Sequence, residues 1–119
     1  KKIPLHNNGT PIRNWLHAED TASAVLQIID AGVQNEIYNI AGGFEQANID
    51  TVKKLLYVLT KSDDYDINDY VDMSCSRVGQ DLRYSLDDSK LRAIGREPQK
   101  KFDDELEDIV NYYKNKFIW

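Results

Sequence analysis

Three arginines and one asparagine are the residues of this sequence best suited to bind an anion. Arg13, Arg77 and Arg83 lie in predicted loops or at the ends of predicted elements, where a planar fork of donors suits a phosphate or carboxylate. Asn48 stands at a predicted helix start, where free amides and the dipole favour an anion, and Gly79 beside Arg77 permits close backbone approach. Convergence on one diphosphate is a hypothesis, and the alternative is a set of unconnected surface groups.

The sequence offers little for acid–base, nucleophilic or metal chemistry. His6 and His17 are its two histidines, and lone histidines are more often packed or surface groups than metal ligands. Cys75 has no basic neighbour closer than Arg77, so we interpret it as an incidental thiol. The acidic stretch 62–66 lacks the ligand spacing and glycine of a calcium loop. We therefore assign no catalytic residue and no metal ligand.

Composition argues against several classes of protein. The 119 residues include 15 Lys+Arg and 20 Asp+Glu, and a net charge of −5 is unlike the basic footprint of a nucleic-acid-binding protein. No apolar run approaches the roughly 20 residues of a membrane span, and no signal-peptide pattern opens the sequence. The single cysteine excludes an internal disulfide, and the cytoplasm is the expected location.

The size of the chain predicts one domain over residues 1–119. A hydrophobic content of 41% suffices for one modest core and leaves no room for a second. The sequence begins at Lys1 without a start or capping signal, which indicates a fragment or an excised domain. Such a piece can carry the binding half of a protein without its chemistry.

Apolar spacing and cap residues predict four helices. The first three begin at Asp20, Asn48 and Asp87, and glycines end the first and third at Gly32 and Gly95. The fourth has acidic residues in its first turn and lysines in its last, which suits the helix dipole. Its apolar stripe comprises Phe102, Leu106, Ile109, Val110, Tyr113 and Phe117, and Tyr112, Tyr113 and Trp119 are interpreted as packing residues.

Short extended segments are predicted between the helices. The Asn-Gly pair at 8–9 indicates a turn, and residues 13–17 follow it as an extended segment. Residues 36–40 and 70–73 are rich in strand formers, and 83–86 returns to an extended pattern. The whole predicts a small mixed α/β domain. No Gly-x-Gly-x-x-Gly follows a strand, so no complete dinucleotide-binding unit is predicted.

Three segments carry motifs of a known family. Residues 8–20 include Ile-Arg-Asn-Trp-Leu-His, residues 38–49 begin Tyr-Asn-Ile, and residues 76–87 read Ser-Arg-Val-Gly-Gln-Asp-Leu-Arg-Tyr-Ser-Leu-Asp. They resemble three stretches of the dTDP-glucose 4,6-dehydratases, members of the extended short-chain dehydrogenase/reductase family. The family's versions are Gly-x-x-x-Arg-Asp-Trp-Leu-x-Val-x-Asp, Tyr-Asn-Ile-Gly-Gly-x-x-Glu-x-x-Asn and Asp-Arg-Pro-Gly-His-Asp-x-Arg-Tyr-x-Ile-Asp. The resemblance covers essentially the whole chain but only the C-terminal part of the family.

The resemblance implies a substrate-binding lobe. In that family a Rossmann half holds NAD and the Tyr-x-x-x-Lys catalytic pair, and the C-terminal lobe grips the nucleotide and its diphosphate. This chain then corresponds to the C-terminal lobe, without the Rossmann half and with no cofactor of its own. The residues implied in nucleotide-sugar binding are Pro4, Leu5 and His6 beside the base, Arg13 at the diphosphate, Asn48 at a helix start, and Ser76, Arg77, Val78, Gly79 and Gln80 in the nucleotide loop.

Four positions depart from the family pattern. Asn14 replaces an aspartate, and Ser76, Val78 and Gln80 replace aspartate, proline and histidine in the loop. Valine in place of proline loosens the preset φ of the loop, and serine in place of aspartate removes a charged partner. These departures bear on nucleotide selectivity.

The activity implied for the whole enzyme is conversion of dTDP-glucose to dTDP-4-keto-6-deoxyglucose with bound NAD. This chain alone is expected to be inactive, because it encodes neither the cofactor pocket nor a positioned acid and base. The alternatives are a non-enzymatic nucleotide-sugar-binding module, a structural relic, and the lobe of a related sugar-nucleotide epimerase or decarboxylase. An apolar face left by the missing half is expected to make the isolated domain self-associate.

Overall fold

In the computed structural model, which describes residues 1–32 and 34–116, four helices accompany two sheets of two strands each. The helices are α1 (Ala18–Asp30), α2 (Asn48–Thr60), α3 (Ser89–Ala93) and α4 (Phe102–Lys114). The strands are β1 (Ile3–Pro4), β2 (Ile12–Asn14), β3 (Glu45–Ala47) and β4 (Val71–Asp72), and 3₁₀ turns occupy His6–Gly9 and Ile67–Asp69. The small mixed fold of helices and short strands expected from the sequence is confirmed.

Both sheets are built on the first fourteen residues. β1 pairs in parallel with β4, and β2 pairs antiparallel with β3, with Arg13 opposite Gln46. The Ile12 amide donates to the Leu82 carbonyl at 2.7 Å, which lays the segment after β4 alongside β2. Residues 1–14, here called the N-terminal strip, therefore hold together segments that are far apart in sequence.

The main apolar core lies where α2 meets β1 and β4. Val52 and Leu56 are buried and stand four positions apart, so they share one face of the helix. Leu59, predicted on the same face, remains 48% exposed near the end of α2. Completing this cluster are buried Leu5 and Val71 and the partly buried Ile49, Tyr65, Ile67 and Met73.

The apolar stripe of α4 is only partly buried. Leu106 and Val110 are buried, as predicted, whereas Ile109 is 38% and Tyr113 is 50% exposed. Phe117 and Trp119, which we placed on this helix and at its end, lie outside the described residues. Among the described residues, none of the helices combines the length and apolar character required to span a bilayer.

The prediction of a strand at 36–40 is wrong. These residues lie outside both sheets, and Ile37 is 85% exposed. A strand needs a ladder partner, and here side-chain contacts with the α3 region hold the segment instead. Lys90 pairs with Glu36 at 2.5 Å and donates to the Ile37 carbonyl at 2.9 Å, and it lies 4.7 Å from the ring centre of Tyr38.

The residue that replaces the family's aspartate in the first motif has a structural role. Asn14 Oδ1 accepts a hydrogen bond from the Gly42 amide at 2.9 Å. A Cβ atom at Gly42 would lie 2.4 Å from the Trp15 carbonyl oxygen, so only glycine allows this approach. The bond needs only a side-chain oxygen, which asparagine supplies as well as aspartate does.

Asp20 is not the N-cap of α1, as the sequence predicts, but lies inside its first turn. The N-cap is His17, whose Nδ1 accepts the Glu19 amide at 3.1 Å. Because this cap is already made, the Asp20 carboxylate is free to turn inward, where it is 3% exposed. Its function is therefore decided by the packing of α1 against a distant segment.

The buried Asp20 carboxylate is fully paired with the segment before α4. Its Oδ1 accepts from Arg96 Nη2 at 2.6 Å and from the Gln99 amide at 2.9 Å, and its Oδ2 accepts from the Lys100 amide at 2.8 Å. Burial raises the pKa of Asp20, but the two amides and the Arg96 guanidinium outweigh it, so the pKa lies below its usual value. This network fastens α1 to residues 96–100.

Asp20→Asn should lower the free energy of unfolding by about 3–5 kcal/mol, the usual cost of breaking a buried ion pair on one side. The variant leaves the Arg96 guanidinium buried without its counter-ion and turns an NH₂ group toward a main-chain amide. Urea unfolding of both proteins measures the difference. Glu19→Gln is the control, because its 3.5 Å pair with Lys100 is on the surface and should change stability by less than about 1 kcal/mol.

The difference in the free energy of unfolding between the parent and Asp20→Asn should depend on pH. Since the pKa of Asp20 is lowered in the folded state, its contribution is fully present above the unfolded pKa. It is lost as the pH falls through the folded pKa, so parent and variant should converge in acid. Equal stability at neutral pH would show that the pair does not contribute.

Candidate functional site

The predicted binding residues lie on four segments joined by hydrogen bonds around β2. The Asn48 amide donates to the Pro11 carbonyl at 3.0 Å, which places the start of α2 beside β2. Gly9 touches the same helix start, since a Cβ there would lie 2.8 Å from Ile49 Cβ. The loop after β4 is connected to this strip by the pairing of Ile12 and by bonds from Arg13 and Asn7.

Arg13 is held with its guanidinium over an aromatic ring. Its Cζ lies 4.5 Å from the ring centre of Tyr84, a cation–π contact. Nη1 donates to the carbonyls of Ile12 at 2.8 Å and Asp81 at 3.2 Å. Nη2 and Nε have no hydrogen-bond partner among the described residues, so they remain available to an anion.

Residues 76–80 form an exposed tight turn that carries Arg77 toward solvent. The Gln80 amide donates to the Arg77 carbonyl at 3.4 Å, and Val78 is 99% exposed. Gly79 has φ +73° and a Cβ there would meet nothing within 4 Å, so glycine serves the turn conformation. Ser76 and the Arg77 side chain are exposed and make no side-chain hydrogen bond within the described part of the chain.

Asn48 is placed differently from its prediction as a helix cap. The N-cap of α2 is Ala47, without a side-chain bond, and Asn48 is the first helical residue. Its amide is used by Pro11, which removes one of the free donors that we expected to meet an anion. The Asn48 side chain is half-buried and makes no hydrogen bond with any described residue, so it can still meet a ligand.

The three residues predicted beside the base differ in their exposure to solvent. Pro4 and His6 are exposed at the end of β1 and in the turn that follows it. Leu5 is 6% exposed and belongs to the core, so its side chain is not available to a ligand.

Arg83 serves as a tether, which is not the anion-binding role we considered for it. Its Nε donates to both carboxylate oxygens of Glu45, at 2.9 and 3.1 Å, and its Nη2 donates to Oε2 at 2.5 Å. The Arg83 hydrogen bonds hold the pKa of Glu45 below its usual value, and Glu45 in turn raises the pKa of Arg83. This bidentate pair ties the segment after the loop to β3. It also uses the Arg83 Nε and Nη2 donors that we had considered for an anion.

Two residues of the site were not among the binding residues predicted from the sequence. Tyr84 supports Arg13 through its ring, and Asn7 binds the loop at Arg77 and Gln80. Asn7 stands directly before the Asn-Gly pair of the predicted turn, and its partners in the loop lie about seventy positions away in the chain. No sequence pattern within a turn predicts such a contact.

A concavity of about 620 Å³ lies between α2 and α4, apart from the predicted binding residues. Its aromatic wall includes Trp15 and Phe102, whose ring centres are 5.6 Å apart, and Phe44, stacked on Phe102 at 5.4 Å. None of the ten predicted binding residues lines it. Within residues 1–32 and 34–116, no group of three or more His, Cys, Asp or Glu side chains is arranged to hold a metal ion.

The chain is similar to known sugar-nucleotide enzymes. The model of the NAD dependent epimerase/dehydratase family matches residues 1–41. The dTDP-glucose 4,6-dehydratase of Haemophilus influenzae is 38% identical over 120 residues, covering 95% of this chain and 36% of its own. The low-salt glycan biosynthesis protein Agl12 of Haloferax volcanii is 34% identical over 111 residues, covering 93% and 34%.

The fold is also shared with a solved dehydratase. The crystal structure of the dTDP-glucose 4,6-dehydratase DesIV from Streptomyces venezuelae, with NAD and TYD (dTDP) bound, has a TM-score of 0.84 and 35% identity. The match covers 96% of this chain and 34% of that one. The chain spans about a third of the length of the curated relatives that it matches. By sequence and by fold, this chain is therefore similar over nearly its whole length to about a third of the dTDP-glucose 4,6-dehydratases, members of the extended short-chain dehydrogenase/reductase family.

Proposed function

We propose that residues 1–119 form the nucleotide-sugar-binding lobe of a dTDP-glucose 4,6-dehydratase-like enzyme, a lyase. The observation that carries the proposal is the state of two arginines on neighbouring segments. Arg13 is fixed by Tyr84 and Asp81 and keeps its Nη2 and Nε donors unpaired among the described residues. The Arg77 side chain extends from a tethered turn and makes no hydrogen bond with any described residue. Charged, planar donors of this kind suit the oxygens of a diphosphate.

The surrounding residues fit the remaining parts of a nucleoside diphosphate sugar. The Asn48 side chain, at the helix start beside β2, is an uncommitted amide suited to a phosphate or hydroxyl group. Pro4 and His6 offer exposed surface for a base at one end, and the 76–80 turn lies along the nucleotide. DesIV, 35% identical to this chain, is described with dTDP bound, which supports the same ligand class here.

We assign binding, and not the chemical step, to these residues. The parallel β1–β4 pair is two residues long, and neither the β2–α1 nor the β3–α2 connection carries the Gly-x-Gly-x-x-Gly turn that cradles a dinucleotide. We infer that NAD is held by a Rossmann half outside this sequence, which would also supply the acid and base, and we expect the 119 residues alone to be inactive. A cytoplasmic location accords with the single cysteine.

Arg13→Ala should weaken the binding of dTDP by roughly 10- to 150-fold, since a charge-assisted hydrogen bond contributes about 1.5–3 kcal/mol. Isothermal titration calorimetry measures the affinity. Arg13→Lys keeps the charge but loses the fork, and should fall between parent and alanine variant. Arg92→Ala is the control, because Arg92 is an exposed arginine paired with Asp88 at 2.8 Å and not part of the site.

The same titration separates the alternative functions. Preference for dTDP over UDP supports a dehydratase-like lobe, and the opposite preference favours the epimerase or decarboxylase lobe. Binding of neither nucleotide would contradict the proposal and leave a structural relic. Unchanged affinity in the Arg13→Ala variant would remove Arg13 from the site.

The isolated 119 residues should self-associate through the apolar side of α1. Val25, Leu26 and Ile29 are 44%, 61% and 66% exposed, an apolar area that soluble monomers rarely leave in contact with water. Sedimentation velocity at increasing concentration measures the assembly. Ile29→Glu should shift the protein toward monomer, whereas the matched charge change Asn111→Glu on α4 should not. A parent that remains monomeric at the highest concentration would contradict this expectation.

A further inference from the structure

We propose that Asn7 is the positioning residue of the nucleotide loop: it holds residues 76–80 in the conformation that binds ligand, without touching the ligand itself. The inference rests on the proposed function of this loop. It concerns a residue to which neither the sequence motifs nor the comparisons assign a role.

Asn7 pairs with both main-chain polar groups of Arg77. Its Oδ1 accepts from the Arg77 amide at 3.0 Å, and its Nδ2 donates to the Arg77 carbonyl at 3.2 Å. Nδ2 also donates to Gln80 Oε1 at 3.2 Å, and the Asn7 amide donates to the Cys75 carbonyl at 3.1 Å. One side chain therefore binds both the first and the last residue of the Arg77–Gln80 turn.

No other residue in the described part of the chain shares this task. Every hydrogen bond that joins residues 76–80 to the rest of residues 1–32 and 34–116 is made by Asn7. The loop has no apolar anchor to replace them, since Val78 is 99% exposed and the space around Gly79 is open. The internal bond of the turn is long, at 3.4 Å, and does not fix the loop to the fold.

The backbone at Asn7 is adapted to this contact. Asn7 has φ 52° and ψ 44°, the left-handed region that asparagine tolerates better than most residues. Asn8 shares the conformation with φ 58° and ψ 21°, but its side chain makes no hydrogen bond with any described residue. The chain thus offers two adjacent asparagines in the same conformation, of which only one holds the loop.

A loop held in this way is ordered before the ligand arrives. Without the tether, binding must also restrict the backbone of residues 76–80, and the apparent affinity falls by the fraction of time that the loop spends in the competent conformation. Asn7 therefore acts on affinity through Arg77 and Gln80. Its effect should become much smaller when the Arg77 side chain is removed.

Asn7→Gly and Asn8→Gly form a matched pair of variants, since glycine accepts the left-handed backbone at both positions. Asn7→Gly should weaken the binding of dTDP, measured by calorimetry, by about 10-fold, with the loss in the entropy of binding. Asn8→Gly should bind as the parent does. In an Arg77→Ala background, Asn7→Gly should lower the affinity for dTDP much less, because both changes remove the contribution of the Arg77 side chain to binding.

Amide hydrogen exchange provides a measurement that is independent of the ligand. Exchange at the Arg77 amide should accelerate in Asn7→Gly and not in Asn8→Gly, while the Leu5 amide, bonded to the Asp72 carbonyl at 2.9 Å, reports that the fold is intact. Unchanged exchange at Arg77, or parent-like affinity in spite of faster exchange, would overturn the positioning role. If the parent binds no dTDP, the proposed function fails, and the exchange result alone decides whether Asn7 is the tether.

Discussion

Every part of the candidate site depends on the pairing of one N-terminal strip with the rest of the chain. β1 pairs with β4, β2 pairs with β3, and Ile12 bonds to Leu82. Strands of two or three residues in two-stranded sheets have no stability of their own. They exist because Leu5 is buried against α2 and β4 and because Pro11 accepts the first amide of α2. The core thus fixes the strip, and the strip fixes the distances between the binding residues.

The Asp20–Arg96 pair makes a different kind of contribution from the ion pairs on the surface. The Lys61–Glu107 pair, for example, is exposed to solvent and adds little, because water and salt screen it. Asp20 instead accepts three hydrogen bonds in the interior, two of them from main-chain amides. These bonds define where residues 96–100 cross α1, and so determine how α4 is connected to the rest of the fold.

Local patterns predicted the helices well and their starts poorly. The spacing of Val52 and Leu56 is a property of the helix itself, whereas whether Asp20 caps α1 depends on Arg96 and on His17. The segment 36–40 has the composition of a strand but no strand to pair with in the described structure. In the site, the family motifs indicated Arg13 and Arg77. Residue spacing could not predict that Glu45 forms an ion pair with Arg83, nor that Asn7 binds the loop, because both contacts join distant parts of the chain.

The separation between Asn7 and Arg77, seventy positions along the chain, has a consequence for how this protein folds. Helices α1, α2 and α4 can form from local contacts, but the parallel pairing of β1 with β4 must first close a loop that contains two of them. Such non-local pairing is slow, because chain entropy is lost before the contacts are gained. The surface formed by β1, the turn at His6–Gly9 and the 76–80 loop is therefore among the last parts of the molecule to assemble. During synthesis it stays incomplete until β4 and the loop have left the ribosome, well after the first two helices are available to fold.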